Sequence, residues 1–66
     1  MRATIIAFDA HRGDGVLCDD AGEELSFHCL AITDGSRHIE IGTRVTFVRR
    51  VGLLGRDEAS EVQPLS

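Results

Sequence analysis

Two short stretches, Gly13-Asp14-Gly15-Val16-Leu17 and Leu25-Ser26-Phe27-His28-Cys29, decide the fold that this sequence predicts. In the first stretch, two glycines interrupt a β-rich segment, as a tight loop or a bulge does. Between the stretches lies Asp19-Asp20-Ala21-Gly22, a turn sequence in which Asp side chains bond nearby backbone groups and Gly adopts a positive φ. We therefore expect two neighbouring strands joined by a turn.

The second stretch alternates between apolar and polar residues, and this alternation sets which side faces the core. Successive side chains of a strand point to opposite faces of its sheet. Leu25 and Phe27 should therefore point into the core, and Ser26 and His28 should lie on an outer surface. The interpretation of that outer surface depends on this orientation.

Three further strands are expected, at residues 2–9, 43–51 and 58–62, the last ended by Pro64. Cys29-Leu30-Ala31-Ile32 is expected to form a single helical turn, and residues 33–37 and 52–56 are expected to be loops. Five short strands separated by turns predict an all-β domain. The economical arrangement is a five-stranded antiparallel Greek-key barrel of the OB type, because closure limits exposed sheet edges.

Size and composition fit one such domain. The chain has 66 residues, of which 42% are hydrophobic, enough for one small core and leaving no room for a second domain. No apolar stretch approaches the roughly 20 residues that cross a bilayer, so no membrane association is expected. Arg2 leads directly into an alternating segment rather than a secretory signal, which favours a cytoplasmic location with Cys18 and Cys29 as free thiols.

The net charge of −4 bears on possible partners. Proteins that bind phosphate gain affinity from Lys and Arg, so a negative chain is a poor match for nucleic acid. All seven basic residues are arginines, which stack on bases and bind phosphate with two donors. Charge therefore lowers the expectation of nucleic-acid binding without excluding it.

A series of motifs runs in order along residues 4 to about 65. It comprises Ala7-Phe8-Asp9, Arg12-Gly13-Asp14-Gly15-Val16-Leu17, Leu25-Ser26-Phe27-His28-Cys29, Leu30-Ala31-Ile32, Ile39-Glu40-Ile41-Gly42-Thr43-Arg44-Val45-Thr46-Phe47 and Arg56-Asp57-Glu58-Ala59-Ser60-Glu61-Val62-Gln63-Pro64. In its order and nearly preserved spacing this series resembles the cold-shock domain family. The resemblance implies an OB-type barrel that binds single-stranded RNA or DNA by stacking bases on rings of its second and third strands.

The positions that carry those rings in the family are altered here. They hold Ala7, Asp14, Val16, Ser26 and Cys29, and the chain has no Trp and no Tyr. Each base–ring stack contributes roughly 1–3 kcal/mol, so losing several predicts weak binding. The Asp14 carboxylate would in addition repel an approaching phosphate.

Six residues remain as the expected nucleic-acid-binding set: Phe8, Arg12, Gly13, Gly15, Val16 and His28. Phe8 fits stacking and simple packing at a strand end equally well, whereas Phe27 and Phe47 fit the core. Further arginines that could line a backbone track are Arg44, Arg49, Arg50 and Arg56, with Arg12 favoured because it takes the basic place of its motif. Arg37 and His38 lie in the loop that carries another stacking aromatic in the family.

Catalysis and metal binding are not expected. Cys18, His28 and Cys29, with His11 or His38, lack the paired close spacing typical of zinc sites. A Cys–His nucleophile would need an orienting acid and a pocket that the sequence does not indicate. We expect no enzyme activity and no cofactor.

Two functions remain open. The first is weak binding of single-stranded RNA or DNA. The alternative is a protein-interaction or regulatory OB module that no longer binds nucleic acid, since Ile6, Ala7, Val16 and Cys29 form a ring-poor apolar surface suited to a protein partner or a self-dimer.

Overall fold

Five strands form the framework of the computed structural model, which describes residues 1–35, 37–52, 55 and 57–65. They are β1 (Arg2–Asp9), β2 (Asp14–Asp19), β3 (Glu24–His28), β4 (Arg44–Val51) and β5 (Asp57–Pro64). A 3₁₀ turn, Cys29–Ala31, follows β3 where the sequence predicted a helical turn. Among the described residues, no helix has the length and apolar character needed to traverse a bilayer.

The strands close into a barrel in the order β1-β2-β3-β5-β4, which confirms the predicted five-stranded OB-type architecture. The sheet is mixed rather than wholly antiparallel, because β3 and β5 run parallel where Ser26 pairs with Glu58. The reason is geometric. A closed ring with an odd number of strands cannot alternate direction all the way round, so one neighbouring pair must be parallel.

Two strands are longer than the sequence indicated. β2 begins at Asp14, which pairs with both Asp9 and His28, rather than at Val16. β5 reaches Pro64, which pairs with Val45 as the last residue of the strand, where a missing N–H is tolerated. The predicted loop at 52–56 and the turn at 34–36 include Leu53, Leu54, Arg56 and Ser36, which lie outside the described residues, as does Ser66.

The core confirms the predicted orientation of β3. Leu25 and Phe27 are 2% and 3% exposed, whereas Ser26 and His28 are exposed. The buried hydrophobic residues are Ala3, Ile5, Leu17, Leu25, Phe27, Ile32, Ile39, Val45, Phe47, Ala59 and Val62. Every strand contributes to this cluster, so the barrel interior is a single packed core.

A β-bulge in β1 shifts the register with β2. Ile5 pairs with Leu17 and Ala7 pairs with Val16, so Ile6 is the extra residue. Ile5 is fully buried, and Ile6 points outward. Beyond the bulge, Phe8 pairs with Gly15 and is half-buried against the core.

Ion pairs tie β4 to the rest of the barrel. Arg44 donates hydrogen bonds to both carboxylate oxygens of Asp20, at 2.9 and 3.2 Å, and to the Thr4 hydroxyl at 2.8 Å. Arg49 pairs with Glu23 at 2.6 Å and with Asp57 at 3.1 Å. These contacts connect β4 with β1, β5 and the turn that follows β2.

Truncation of Phe27 tests the core. Phe27→Ala should lower the free energy of unfolding by about 3–5 kcal/mol, because it leaves a cavity among buried side chains. Ser26→Ala, one position away on the outer surface, is the matched control and should have little effect. Denaturant titration measures both. A loss for Phe27→Ala no larger than that of Ser26→Ala would mean that the ring is not in the core.

The Asp20–Arg44 pair predicts a dependence of stability on pH. Hydrogen bonds from Arg44 lower the pKa of Asp20 below its ordinary value. A carboxylate whose pKa is lower in the folded state stabilises the fold above its unfolded pKa, about pH 4, and this contribution is lost as the pH falls through the folded-state pKa. Asp20→Asn should therefore lose less stability on acidification than the wild type, measured by thermal unfolding across acidic pH.

Arg44→Gln removes the other partner of the same ion pair, so this variant should also lose less stability than the wild type as the pH falls. If both variants lose as much stability on acidification as the wild type, the Asp20–Arg44 pair contributes nothing to the acid sensitivity.

Candidate functional site

Strand register gathers four of the six predicted site residues, Phe8, Gly15, Val16 and His28, into three neighbouring rows on one side of the barrel, whereas Arg12 and Gly13 lie in the preceding loop. Pairing across the strands places Asp9, Asp14 and His28 in the first row, Phe8, Gly15 and Phe27 in the middle row, and Ala7, Val16, Ser26 and Glu58 in the last row. These ten residues line an open groove with a volume of about 510 Å³. We refer to it below as the groove.

The middle row forms the aromatic floor of the groove. The Phe8 and Phe27 rings stack with centroids 6.1 Å apart and an interplanar angle of 21°. A Cβ added at Gly15 would lie 2.7 Å from the Ala7 carbonyl oxygen, 2.8 Å from Phe27 and 2.9 Å from Phe8. Gly15 is therefore required by packing, since any side chain there would separate the two rings or displace β1.

Phe8 belongs partly to the core and partly to the groove. Its ring packs against Phe27 on one side and meets the His38 ring edge-on, with centroids 5.6 Å apart. Both interpretations of this residue therefore hold geometrically: Phe8 packs at the end of a strand, and its half-buried ring still lines the groove. The sequence did not predict the contact between His38 and Phe8, because the two residues are far apart in the chain and only the fold brings their rings together.

The loop between β1 and β2 is organised by Asp9. Its Oδ1 accepts hydrogen bonds from the backbone N–H groups of His11, at 3.0 Å, and Arg12, at 3.2 Å. Gly13 donates its N–H to the Asp9 carbonyl at 2.8 Å and has φ of 75°, a conformation that favours glycine. Gly13 therefore shapes the loop that presents Arg12.

Arg12 is the basic side chain beside the groove. Its guanidinium lies 3.4 Å from the Asp14 carboxylate, and the two side chains are 72% and 44% exposed. An ion pair as exposed as this one contributes little stability, because water screens both charges. The Arg12 guanidinium can therefore leave the Asp14 carboxylate and bind an external anion in its place.

His28 serves the local structure as well as the groove. Its Nδ1 accepts a hydrogen bond from the Leu30 N–H at 3.1 Å and so caps the 3₁₀ turn. The proton of the neutral ring then lies on Nε2, which is left as a donor. The exposed ring is held in place at the end of the groove.

Of the arginines predicted to line a track for the nucleic-acid backbone, Arg12 is the one that lies beside the groove among the described residues. Arg44 is bound to Asp20, Arg49 pairs with Glu23 and Asp57, and Arg50 lies 3.9 Å from Glu61. All three are on β4 and line no part of the groove. Arg56 lies outside the described residues.

The groove instead carries three carboxylates, from Asp9, Asp14 and Glu58. Glu58 was not among the predicted site residues, because it enters through the parallel pairing of β3 with β5. Asp9 carried a visible signal, since an Asp shortly before a Gly-containing loop is typical of an Asx turn.

The cysteines, Cys18 and Cys29, are both free thiols, as the sequence predicted. In the described part of the chain, no three His, Cys, Asp or Glu side chains are grouped in a way that would hold a metal ion.

Comparison with known proteins adds no family to this description. No protein-family model matches the chain, and no curated protein matches its sequence. The structure establishes a closed five-stranded barrel of OB type, and the function has to be inferred from the groove itself.

The two roles of His28 can be separated by substitution. His28→Ala removes the acceptor for the Leu30 N–H and should lower the free energy of unfolding by about 1 kcal/mol, as loss of a cap does. His28→Asn keeps an acceptor oxygen near the same place and should retain most of that stability while removing the ring. Denaturant titration of the two variants checks this. Equal losses would show that the Nδ1 hydrogen bond is not a cap of energetic consequence.

Proposed function

We propose that this protein binds single-stranded RNA or DNA weakly, through the groove between β1, β2 and β3. The observation that carries the proposal is the half-buried Phe8 ring, which lines the open groove against the buried Phe27 ring and lies beside the exposed His28 ring. A flat apolar surface of this kind accepts any base by stacking, worth roughly 1–3 kcal/mol per base. The resemblance of the motifs to cold-shock domains supports the same proposal.

The charges of the groove explain why the binding is weak. Asp9, Asp14 and Glu58 repel the phosphates of a strand, and the protein carries a net charge of −4. Arg12 is the basic side chain that offsets them, and Asp14 partly neutralises it. A bound phosphate would have to replace Asp14 as the partner of Arg12.

We further propose that the role is binding rather than catalysis, with no cofactor. The groove is open, and Asp9, His28 and Asp14 are engaged in a turn, a cap and an ion pair rather than in a nucleophile–base arrangement. A cytoplasmic location belongs to the same proposal, because two half-buried free thiols suit a reducing compartment.

A protein-interaction module is the second candidate. The carboxylates of the groove favour it, because they would attract a basic protein surface as strongly as they repel phosphate. Ile6, 39% exposed at the bulge of β1, adds apolar surface next to Ala7. A protein partner or a self-dimer would then cover the same side of the barrel.

A chemical-shift titration tests nucleic-acid binding directly. A short single-stranded DNA, added at low salt up to millimolar concentration, should shift the amide signals of Phe8, Arg12, Gly15 and His28. Signals of Val51, on β4, should stay in place. The affinity should fall steeply as salt is added, because phosphate contacts release counterions. If no groove signal moves, the proposal fails; a salt-insensitive dimer or protein complex would then favour the second candidate.

Asp14→Asn sharpens this test. It removes a negative charge from the groove and frees Arg12, so it should raise the affinity for the strand several-fold. Glu24→Gln is the matched control, since it removes the same charge from an exposed position of β3 that does not line the groove. An equal gain in both variants would show that net charge, rather than the groove, controls binding.

A further inference from the structure

The three carboxylates of the groove differ in what they already bind. Asp9 accepts two backbone N–H groups, and Asp14 pairs with Arg12. Within the described ranges, the carboxylate of Glu58 has no ion pair and no hydrogen bond, although it lines the groove. Glu58 is therefore the carboxylate of the groove of which both oxygens are available to a ligand.

We propose that the groove selects guanine, with Glu58 as the specificity-determining residue. This inference rests on the proposed function, since it names the base that the same groove takes. The contact would be two parallel hydrogen bonds from the N1–H and the 2-amino group of guanine to the two oxygens of the Glu58 carboxylate. A carboxylate is an acceptor with two oxygens, and such charge-assisted paired bonds are the strong ones.

The other bases match a carboxylate less well. The pairing edges of adenine and cytosine each offer an amino donor beside a ring nitrogen that is an acceptor. Thymine and uracil offer one N–H between two carbonyl oxygens, which a carboxylate repels. Guanine places two donors side by side, so it is the base whose edge complements an unpaired carboxylate.

The arrangement of the rows allows stacking and edge recognition together. Glu58 lies in the last row beside Ser26 and Val16, and the aromatic floor lies in the adjacent middle row. Arg12 pairs with Asp14, which is in the first row. Asp14 precedes Val16 of the last row by two residues, which is about 7 Å along β2. One end of the groove can therefore receive the base edge while the other end receives a phosphate.

The groove takes one base rather than a series. Phe8 is the half-buried phenyl ring, whereas Phe27 and Phe47 are each 3% exposed, and the chain has no Trp or Tyr. With a single accessible phenyl ring beside the His28 imidazole, recognition of the base edge contributes a large share of the affinity. The acidic groove thus discriminates between bases more than it attracts strands.

The experiment compares three DNA hexanucleotides that differ at one central position. The first is hexathymidine, and the other two carry guanine or hypoxanthine in place of a central thymine. Hypoxanthine keeps N1–H but lacks the 2-amino group. Titrations of the whole protein at low salt should give about tenfold tighter binding for the guanine strand than for hexathymidine, as expected for a paired contact. The hypoxanthine strand should fall between them.

Glu58→Gln should abolish the preference for guanine, and it should tighten the binding of hexathymidine because it removes a carboxylate that repels phosphate. Glu24→Gln, the control that removes the same charge from the neighbouring strand, should keep the preference. Amide spectra of both variants establish that the barrel is folded. Because Glu58 is exposed, the substitution should not disturb the core.

Each result has a distinct meaning. Equal binding of all three strands overturns the guanine proposal and leaves the proposed function standing, whereas no binding of any strand overturns both. A guanine preference that survives in Glu58→Gln overturns the role of Glu58. Guanosine monophosphate should bind more weakly than the guanine strand. If it binds as tightly, the groove is a site for a free nucleotide and the strand is not its ligand.

Discussion

The contact of Phe8 and Phe27 across Gly15 is the constraint on which the rest of the structure depends. Phe27 anchors β3 in the core, and Phe8 brings the end of β1 over the same region after the bulge at Ile6. The absence of a side chain at Gly15 lets the two rings meet. Core and candidate site therefore share the Phe27 ring, and the floor of the groove is continuous with the packed barrel interior.

Most polar groups around this floor have structural roles that also position them. Asp9 closes the loop that presents Arg12, and the Nδ1 of His28 caps the turn after β3. Such hydrogen bonds restrict the side chains to one conformation, so a ligand would not have to order them on binding. Glu58 differs, because nothing in the described structure commits its carboxylate, and its availability is what suggests a selective contact.

The charges around the groove are not those that favour general binding of nucleic acid. The arginines of β4 are engaged in ion pairs with residues outside the groove, whereas Arg12 pairs with Asp14, a carboxylate of the groove. Long-range attraction of phosphate is therefore weak, and in the proposed function short-range complementarity supplies the specificity. In the proposed function, the carboxylates of the groove disfavour the approach of phosphate, and the aromatic floor provides a surface for one flat base.

Local patterns in the sequence determined the inward positions of Leu25 and Phe27, the outward positions of Ser26 and His28, and the turn at the first glycines, because alternation and turn chemistry act between near neighbours. Tertiary structure alone decided that Glu58 joins the groove, that His38 meets Phe8, and that the arginines of β4 are paired. These contacts join residues far apart in the chain, and their register follows from closing an odd-numbered ring of strands around one core. Periodicity within a single strand carries no information about that closure.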